Sequence, residues 1–368
     1  MSYTIELNNA KRDDTLFTNK FKPTSKVVEI YSALVDGKDT SKYGKETDKT
    51  VDYVKSLGAG IANGDGKAMA ELNTLRKYSI EPVLMKEFKL FDVFGTYKAL
   101  GFDESIEVES EEYIGEKSRV QALNADVVFP AYKKEKYAVG TKTISGGWAT
   151  DYRKLLLGDM SVENEGKAQT RLDIMNKAKR LVLETAFAAT KKANINYGFE
   201  GAGLTKAGAD NVLKNVRRLG KDTSVIGTYG ILSQFTPWAG YNPELTYDTT
   251  RWGISEKDLI DLRNMGLLGG YNGAALVEIE NPYDFTARNA DGTNFGDMLP
   301  DGLALVLARG VKSPINMWTR GGLTTFTGND VSTGHVLSRF DMEFAVDVTK
   351  GREYLIGTLH DTNLDDLK

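Results

Sequence analysis

The spacing of apolar positions changes several times along this chain, and the changes divide it into segments. Residues 1–80 are polar and weakly patterned, with one helical patch at Val27–Val35 and an amphipathic run at Thr50–Leu57. A segment of this kind buries too little apolar surface to form a domain of its own. We therefore predict an extended N-terminal arm that carries short helices.

Residues 81–104 follow the arm and begin with apolar positions near helical spacing. These positions are Val83, Phe88, Phe91 and Phe94. Pro82 fits the first turn of such a helix, where its missing N–H costs nothing. We predict a helix within Tyr78–Tyr97 that leads into a larger domain.

In residues 105–150 the apolar residues recur at every second position. Ile106 and Val108 alternate with Glu107 and Glu109, and the return arm near Lys136 is equally polar. This pattern predicts a long β-hairpin that is charged on both faces. Since a two-stranded hairpin is marginal alone, we expect it to lie on another part of the molecule or on another subunit.

The longest regular stripe in the chain lies at Ser161–Ala193. Small and apolar residues recur there every three or four positions, at Ala168, Leu172, Met175, Ala178, Val182, Ala186, Ala189 and Ala193. The stripe predicts one helix, about 50 Å long at the usual rise per residue. Ser161 is the expected N-cap, and the small side chains would allow close contact with a sheet.

The remaining segments alternate between helical and strand patterns, which is typical of an α+β protein. Up to residue 301 we predict helices at Lys206–Leu219, Thr228–Phe235 and Ser255–Met265, strands at Ser224–Gly227 and Ala274–Glu280, and a loop at Tyr283–Asp301. Beyond it we predict strands at Leu303–Ala308, Pro314–Thr319, Asp341–Val348 and Tyr354–His360, then an acidic tail.

Composition narrows the chemistry that this chain can perform. Its 368 residues include no cysteine and two histidines, His335 and His360. Thiol catalysis, disulfides, thiolate metal sites and multi-histidine zinc sites are thereby excluded. The net charge of −4 argues against a dedicated nucleic-acid binder. With no apolar run long enough to span a membrane and no signal-peptide pattern, we expect a soluble protein of intracellular type.

Two glycine- or asparagine-rich loops resemble ligand-binding motifs but lack essential positions. The segment Gly58–Ala68 has Ile61 and Ala68 where a phosphate-binding loop needs glycine and a hydroxyl. Asn289, Asp291 and Thr293 begin like a calcium loop, but Asn294 and Pro300 replace its turn glycine and its bidentate carboxylate. We interpret both segments as turns.

Clustered carboxylates in the hairpin also have a structural interpretation. They are Glu107, Glu109, Glu111 and Glu112, and they face the return-arm residues Lys133, Lys134 and Lys136. Alternation exposes them on a strand, so we expect ion pairs rather than acid–base catalysis. His335 lies in a polar stretch, and we expect His360 at the surface. We therefore predict no enzyme, no catalytic, cofactor-binding or metal-binding residues, and no cofactor.

The serial order of these segments resembles the major capsid proteins of tailed bacteriophages, which have the Hong Kong 97-type fold. Three stretches carry the resemblance: LLLGDMSVENEGKAQTRLDIMNKAKRLVLETAFAAT, LLGGYNGAALVEIENPYDF and SRFDMEFAVDVTKGREYLIGTLHD. The first looks like the family's passage from extended loop to spine helix. The second resembles an axial-domain strand that ends at an Asn-Pro corner, and the third the late peripheral-domain strands. The similarity extends over about residues 80–361.

The resemblance implies a division of the chain. It implies an arm at 1–80, a helix leading into the peripheral domain at 81–104, an extended loop at 105–150, spine helix and peripheral domain at 151–221, an axial domain at 222–300, and returning peripheral strands with a tail at 301–368. The implied fold is α+β.

The resemblance also implies a function and partners. The chain would assemble into hexamers and pentamers of an icosahedral shell around double-stranded DNA, with a portal and with scaffold or decoration proteins. Assembly would take place in the host cytoplasm, and the product would be a virion. Arg217, Arg218 and Lys221 are the expected contacts to packaged DNA.

Other interpretations remain open from the sequence. The same fold serves encapsulin-type shells that store cargo enzymes, and an α+β enzyme that uses carboxylates and lysines is a further alternative. The family's Lys–Asn crosslink between subunits has candidates here in Lys133, Lys134, Lys136 or Lys142 and Asn316 or Asn329, although no motif marks them.

Overall fold

A computed structural model describes most of the chain. The described residues are 26–114, 131–193, 198–220, 222–239, 267–288, 292–330 and 332–364, and their side chains are described except at 111–114, 131–133, 239 and 287. The predicted helix at Ser255–Met265 lies outside these residues.

The described α-helices follow the chain as α1 to α7. They are α1 Lys26–Val35, α2 Lys45–Ala62, α3 Gly66–Phe88, α4 Tyr152–Leu157, α5 Ser161–Lys192, α6 Lys206–Arg217 and α7 Tyr229–Leu232. Short 3₁₀ turns occur at Ser41–Tyr43, Lys89–Val93, Ser233–Phe235, Pro237–Ala239 and Glu353–Leu355.

The strands are numbered β1 to β14 in chain order. They are β1 Thr96–Leu100, β2 Glu107–Ile114, β3 Ala131–Ala138, β4 Lys142–Asp151, β5 Gly198–Gly201, β6 Asp222–Gly227, β7 Gly270–Tyr271, β8 Ala274–Glu278, β9 Tyr283–Arg288, β10 Phe295–Asp297, β11 Leu303–Arg309, β12 Ile315–Asp330, β13 His335–Val348 and β14 Ile356–Asp361.

A four-stranded sheet forms one half of the core, in the order β1-β12-β13-β4. The long strands β12 and β13 are antiparallel, and β1 is parallel to β12. Alternate residues of β13, such as Phe340, Met342 and Phe344, are buried. They share one core with Ile174 and Val182 of α5, which packs along β4 and β13.

A six-stranded sheet forms the other half, in the order β5-β14-β11-β6-β8-β7. Its central strands β11 and β14 are buried almost throughout. Strand β11 is a continuous apolar run because helices cover both faces of the sheet, with α5 on one side and α6 on the other, whereas β14 also buries Thr358, His360 and Asp361. The α+β class and the predicted series of hairpin, long helix and later strands are confirmed.

The segment predicted as an arm is more helical than the sequence pattern indicates. Helices α2 and α3 have 18 and 23 residues and, together with α1, form an apolar cluster that includes Tyr31, Leu57 and Leu72 and also Leu155 of α4 and Val336 of β13. The prediction of short helices was therefore wrong for this part. Pro82 lies inside α3 and not in a first turn.

Several boundaries also differ from the prediction. The N-cap of α5 is Met160 and not Ser161, and the carboxylate of the preceding Asp159 accepts the Ser161 N–H at 2.9 Å. The predicted loop at Tyr283–Asp301 contains β9 and β10. The strands predicted at Pro314–Thr319 and Asp341–Val348 extend much further, because each continues along the other as one long ladder.

The six-stranded sheet takes strands from both sides of the predicted boundary at residue 300. Strands β11 and β14, expected among returning peripheral strands, pair with β6 and β5. The segments 222–300 and 301–368 therefore share one sheet. The domain boundaries themselves stay predictions.

Candidate functional site

The predicted hairpin is present as β2 and β3, which pair in antiparallel register. Glu109 lies opposite Lys136, Glu111 opposite Lys134 and Glu112 opposite Lys133. The alternation of acidic and basic arms therefore places opposite charges across the ladder, as predicted. The side chains of Glu111, Glu112 and Lys133 lie outside the described part.

The base of the hairpin is anchored on the outer face of the four-stranded sheet. Ile106 and Val108 are buried against Trp318 and Ala345. These apolar residues fix the point from which the hairpin leaves the body of the protein.

A hydrogen bond supplements this apolar contact. The Tyr137 hydroxyl donates to Asp347 Oδ2 at 2.7 Å. Burial, and next this bond, raise the pKa of Tyr137, and burial raises the pKa of Asp347. The raised pKa of Tyr137 keeps its hydroxyl protonated, so that it can donate this hydrogen bond to Asp347.

Beyond the base, most of the described hairpin side chains are exposed, namely those of Glu109, Lys134, Glu135 and Lys136. Lys134 Nζ lies 3.7 Å from Glu109 Oε2, and both side chains are more than two-fifths exposed. Exposed ion pairs contribute about 0–1 kcal/mol to stability. The charges therefore add little to the fold and leave this surface available for contacts.

The outer sheet face is uncovered at its distal end. Phe326 and Leu337 are 55% and 44% exposed, on neighbouring strands. Gly147 and Gly328 lie in the same rows of the ladder and make this face flat. At this end the exposed Arg339 lies opposite Phe326 and next to Leu337 on the same face, and such a mixed apolar and charged surface suits a contact between proteins.

Behind this sheet lies a buried ion pair that the sequence analysis missed. Arg76 of α3 and Glu163 of α5 are 0% and 1% exposed and form a bidentate pair, with Arg76 Nε donating to Glu163 Oε2 at 2.8 Å. Burial alone would raise the pKa of Glu163, but the Arg76 guanidinium holds it below its usual value.

Hydroxyl groups complete the network. Arg76 also donates to Ser338 and Thr150, while Thr150 and Tyr31 donate to Glu163. The pair thus joins α1, α3, α5, β4 and β13. A signal existed in the sequence, because Arg76 follows Leu72 and Leu75 on the apolar stripe of a helix.

Two of the three residues predicted to contact DNA, Arg217 and Arg218, are among the described residues. Lys214, Arg217 and Arg218 are exposed beside an open cleft at the end of α6, and Arg217 Nη1 donates to the Asn272 carbonyl at 3.0 Å. Lys221 lies outside the described residues. Three cations at one end of a helix offer an electrostatic contact for phosphate.

The two histidines occupy different environments. His335 is half-buried at the start of β13. His360 is 1% exposed, so its predicted surface position was wrong: its Nδ1 lies 3.4 Å from Glu200 Oε1, and its ring meets Phe187 edge-on. Strand β14 is central in its sheet, and the sequence did not reveal that position.

The proposed turns and crosslink residues can be located in part. Gly58 and Gly60 lie within α2, and the turn is confined to Asn63–Asp65. Asn289 and Asp291 lie outside the described residues. Lys134, Lys136 and Lys142 are exposed, while the amides of Asn316 and Asn329 donate to Thr349 Oγ1 and the Ile61 carbonyl.

The described ranges lack two kinds of feature. They contain no group of three His, Asp or Glu residues arranged to hold a metal ion. No helix within them combines the length and apolar character that a membrane crossing requires.

Comparison with known proteins identifies a family for the chain. A family model described as "SPbeta prophage-derived putative capsid protein YonB" matches residues 12–360. No curated protein matches the chain significantly.

Several solved structures share part of the architecture. One from Mycobacterium phage Bobi is 12% identical, covers 73% of this chain and 88% of its own, and has a TM-score of 0.48. The mature capsid of bacteriophage PhiM1 is 13% identical, covers 74% of this chain and 87% of its own, and has a TM-score of 0.45. A virus-like particle from Pyrococcus furiosus is 8% identical, covers 76% of this chain and 97% of its own, and has a TM-score of 0.42. The family assignment rests on the sequence match over residues 12–360.

Proposed function

The chain belongs to the YonB family of prophage-derived capsid proteins, and from this membership we propose that it is the major capsid subunit of a tailed-phage particle. Identical copies form hexamers and pentamers, which close into an icosahedral shell around double-stranded DNA. Its role is structural, and its place is the virion.

The hairpin β2–β3 is the observation that carries this proposal. It is anchored by Ile106 and Val108 but exposes its charged arms, so its sequence is not explained by the stability of a single chain. Subunits of a closed shell need heterologous contacts that reach over a neighbour. The anchored, charged hairpin and the exposed face around Phe326, Leu337 and Arg339, at the other end of β12 and β13, are the two surfaces that we assign to such a contact.

Contact with packaged DNA is assigned to the cations at the end of α6. Lys214, Arg217 and Arg218 are exposed, and Arg217 is held in place by the Asn272 carbonyl. Their contact with phosphate is independent of base sequence, which suits a container of DNA. We also include in the proposal a portal, a scaffold or decoration protein, and assembly in the host cytoplasm.

Electron microscopy of the expressed chain, alone and with the products of neighbouring genes, tests the proposal. We expect closed shells of uniform diameter with sixfold and fivefold capsomers. Genome-length nucleic acid inside shells isolated from phage-producing cells would support a capsid. Cargo protein without such nucleic acid would favour the encapsulin-type alternative.

Two further results would contradict the proposal. A stable dimer or tetramer under all conditions would remove both shell functions and favour the enzyme alternative. For the DNA contact, the triple variant Lys214→Ala/Arg217→Ala/Arg218→Ala should assemble but retain less DNA after exposure to high salt. Unchanged retention would remove this surface from the proposal.

A further inference from the structure

The short turn between β7 and β8 consists of Asn272 and Gly273, one of the two Asn-Gly pairs in the chain. Tyr271 lies opposite Ala274, so the turn has two residues, and their φ angles are 49° and 79°. Asn-Gly is the preferred sequence for a two-residue turn with positive φ angles. Both residues are exposed, and Asn272 lines the cleft that also contains Arg217. The peptide bond between them is therefore open to water at the basic cleft.

A neighbouring cation polarises this peptide bond. The Arg217 guanidinium donates from Nη1 to the Asn272 carbonyl at 3.0 Å. A hydrogen bond to a carbonyl oxygen withdraws electrons from the attached amide nitrogen, and a charged donor does so most strongly. That nitrogen belongs to Gly273, and its N–H has no hydrogen-bond acceptor among the described residues. The Gly273 nitrogen is therefore more acidic than an ordinary peptide nitrogen and is available for reaction.

The side-chain amide of Asn272 is held beside this nitrogen. Its Nδ2 donates to Asp210 Oδ1 at 2.8 Å, and the Tyr271 hydroxyl donates to the same oxygen at 2.8 Å. Attack of the following backbone nitrogen on the amide carbon Cγ closes a cyclic imide. Glycine has no Cβ atom, so Gly273 offers the least steric hindrance to this ring closure.

The other Asn-Gly pair has a different environment. Asn63 caps the C-terminus of α2, and the Gly64 N–H donates to the Ile61 carbonyl at 2.9 Å. Because its proton is held in this hydrogen bond, the Gly64 nitrogen loses it less readily. Asn63 is therefore an internal reference with the same dipeptide sequence and a protected nitrogen.

We propose that Asn272 is a site of spontaneous deamidation that weakens the contact of the basic cleft with DNA. The Gly273 nitrogen gives its proton to solvent base and bonds to Cγ of Asn272. The Cγ–Nδ2 bond breaks, and the nitrogen takes a proton from water and leaves as ammonia. Water then opens the cyclic imide and leaves an aspartate or an isoaspartate at residue 272. Water is the only co-reactant, and no atom is oxidised or reduced.

The product carries a carboxylate where the chain had a neutral amide, and such a carboxylate is ionised at neutral pH. Asp210 repels this new charge, whereas Arg217 attracts it. An ion pair with the new carboxylate would withdraw Arg217 from contact with phosphate. This effect rests on the proposed function, because it requires that the cleft contacts DNA.

Ageing of the purified chain at mildly alkaline pH tests the chemistry. Peptide mapping by mass spectrometry measures the conversion of each asparagine to acid, and labelling by an isoaspartate-specific methyltransferase measures the isoaspartate. We expect residue 272 to convert at least several times faster than residue 63. Equal rates at the two positions, or no conversion at residue 272, would overturn the site.

Variants that remove one cation at a time test the role of Arg217. Arg217→Ala should slow conversion at residue 272, and Arg217→Lys, which keeps a charged donor, should restore part of the rate. The matched control Lys214→Ala removes a neighbouring cation of the same cleft and should convert as fast as the native chain. Because both side chains are exposed, thermal unfolding should change little. Equal slowing by Arg217→Ala and Lys214→Ala would overturn activation through the hydrogen bond.

Binding of duplex DNA to the Asn272→Asp chain separates this inference from the proposed function. We expect weaker binding, and a slope of log affinity against log salt concentration that is smaller by about 1, as for one lost phosphate contact. The matched control Asn63→Asp should bind as the native chain does. Conversion at residue 272 with unchanged DNA binding by Asn272→Asp would overturn the weakening of the DNA contact. A native chain that converts but binds no DNA would contradict the DNA contact of the proposed function and leave the modification site standing.

Discussion

At the scale of single residues, the Arg76–Glu163 pair is the most sensitive position in the described structure. Both groups are buried, so each depends on the other and on Thr150, Ser338 and Tyr31 for its hydrogen bonds. A buried ion pair gains little over an apolar pair of the same shape, but losing one partner leaves an uncompensated charge. The network is therefore a device for specifying one arrangement of helices and sheet.

The variant Arg76→Met should lower the free energy of unfolding by about 3–5 kcal/mol, because Glu163 would stay buried without its partner. The double variant Arg76→Met/Glu163→Leu should lose much less. Urea denaturation of the unassembled chain measures both. Equal losses for the single and double variants would contradict the assignment of the cost to an orphaned charge.

Acidification should remove the stabilisation that the Arg76–Glu163 pair provides. The pKa of Glu163 is lower in the folded chain than its unfolded value of about 4.5, so the unfolded chain takes up the proton first. The stabilisation is complete above the unfolded value and is lost as the pH falls through the folded one. The stability advantage of the native chain over Glu163→Gln should therefore shrink below pH 4.5. An advantage that grew on acidification would show the opposite shift.

At the scale of elements, α5 and β4 meet at one close approach. Gly166 of α5 lies against the indole of Trp148, which stacks on Phe340 with ring centroids 4.8 Å apart. A Cβ atom at residue 166 would overlap the indole ring. The glycine is therefore required by packing, although glycine is unfavourable inside a helix.

The variant Gly166→Ala tests which effect is larger. Helix propensity alone would add about 1 kcal/mol of stability, but displacement of Trp148 should outweigh it and lower the melting temperature. The matched control is Gly66→Ala at the start of α3, where nothing lies near the added methyl group. There the melting temperature should be unchanged or higher. A stabilised Gly166→Ala chain would contradict the close approach.

Elements whose apolar residues keep a strong period were predictable from sequence, even though α5 also buries polar residues such as Glu163 and Asn176. The hairpin and α5 follow clean periods of two and of three to four. In α3 the buried stripe includes Arg76 and Ser79, so the apolar pattern is broken and a long helix was missed. On α5, Leu172 is 43% exposed although it fits the stripe, because the sheet covers only part of the helix.

At the scale of the whole molecule, some segments pack into the cores that stabilise the single chain, and others are exposed and available for contacts between subunits. The hairpin charges belong to the second kind, since their exposed ion pair adds little stability. The sequence predicted this division, but not that β11 and β14 join the sheet of β6. Pairing between distant strands leaves no local signal, and for the same reason the burial of His360 was missed.

The variant Lys134→Glu/Lys136→Glu should fold normally and fail to assemble, because it reverses the charge of one hairpin arm. Light scattering measures assembly, and thermal unfolding of the unassembled chain should change by no more than an exposed ion pair accounts for. Lys42→Glu, which removes another exposed ion pair, is the control and should assemble. Normal assembly of the hairpin variant would argue against its role in subunit contact.

The central place of β14 has a consequence for the timing of synthesis. Residues 356–361 follow every other described strand, yet they lie between β5 and β11. During translation the six-stranded sheet therefore stays open until nearly the whole of the described chain has left the ribosome, since domains fold as their last segments emerge. That half of the subunit therefore acquires its final contact surface only after residues 356–361 have emerged.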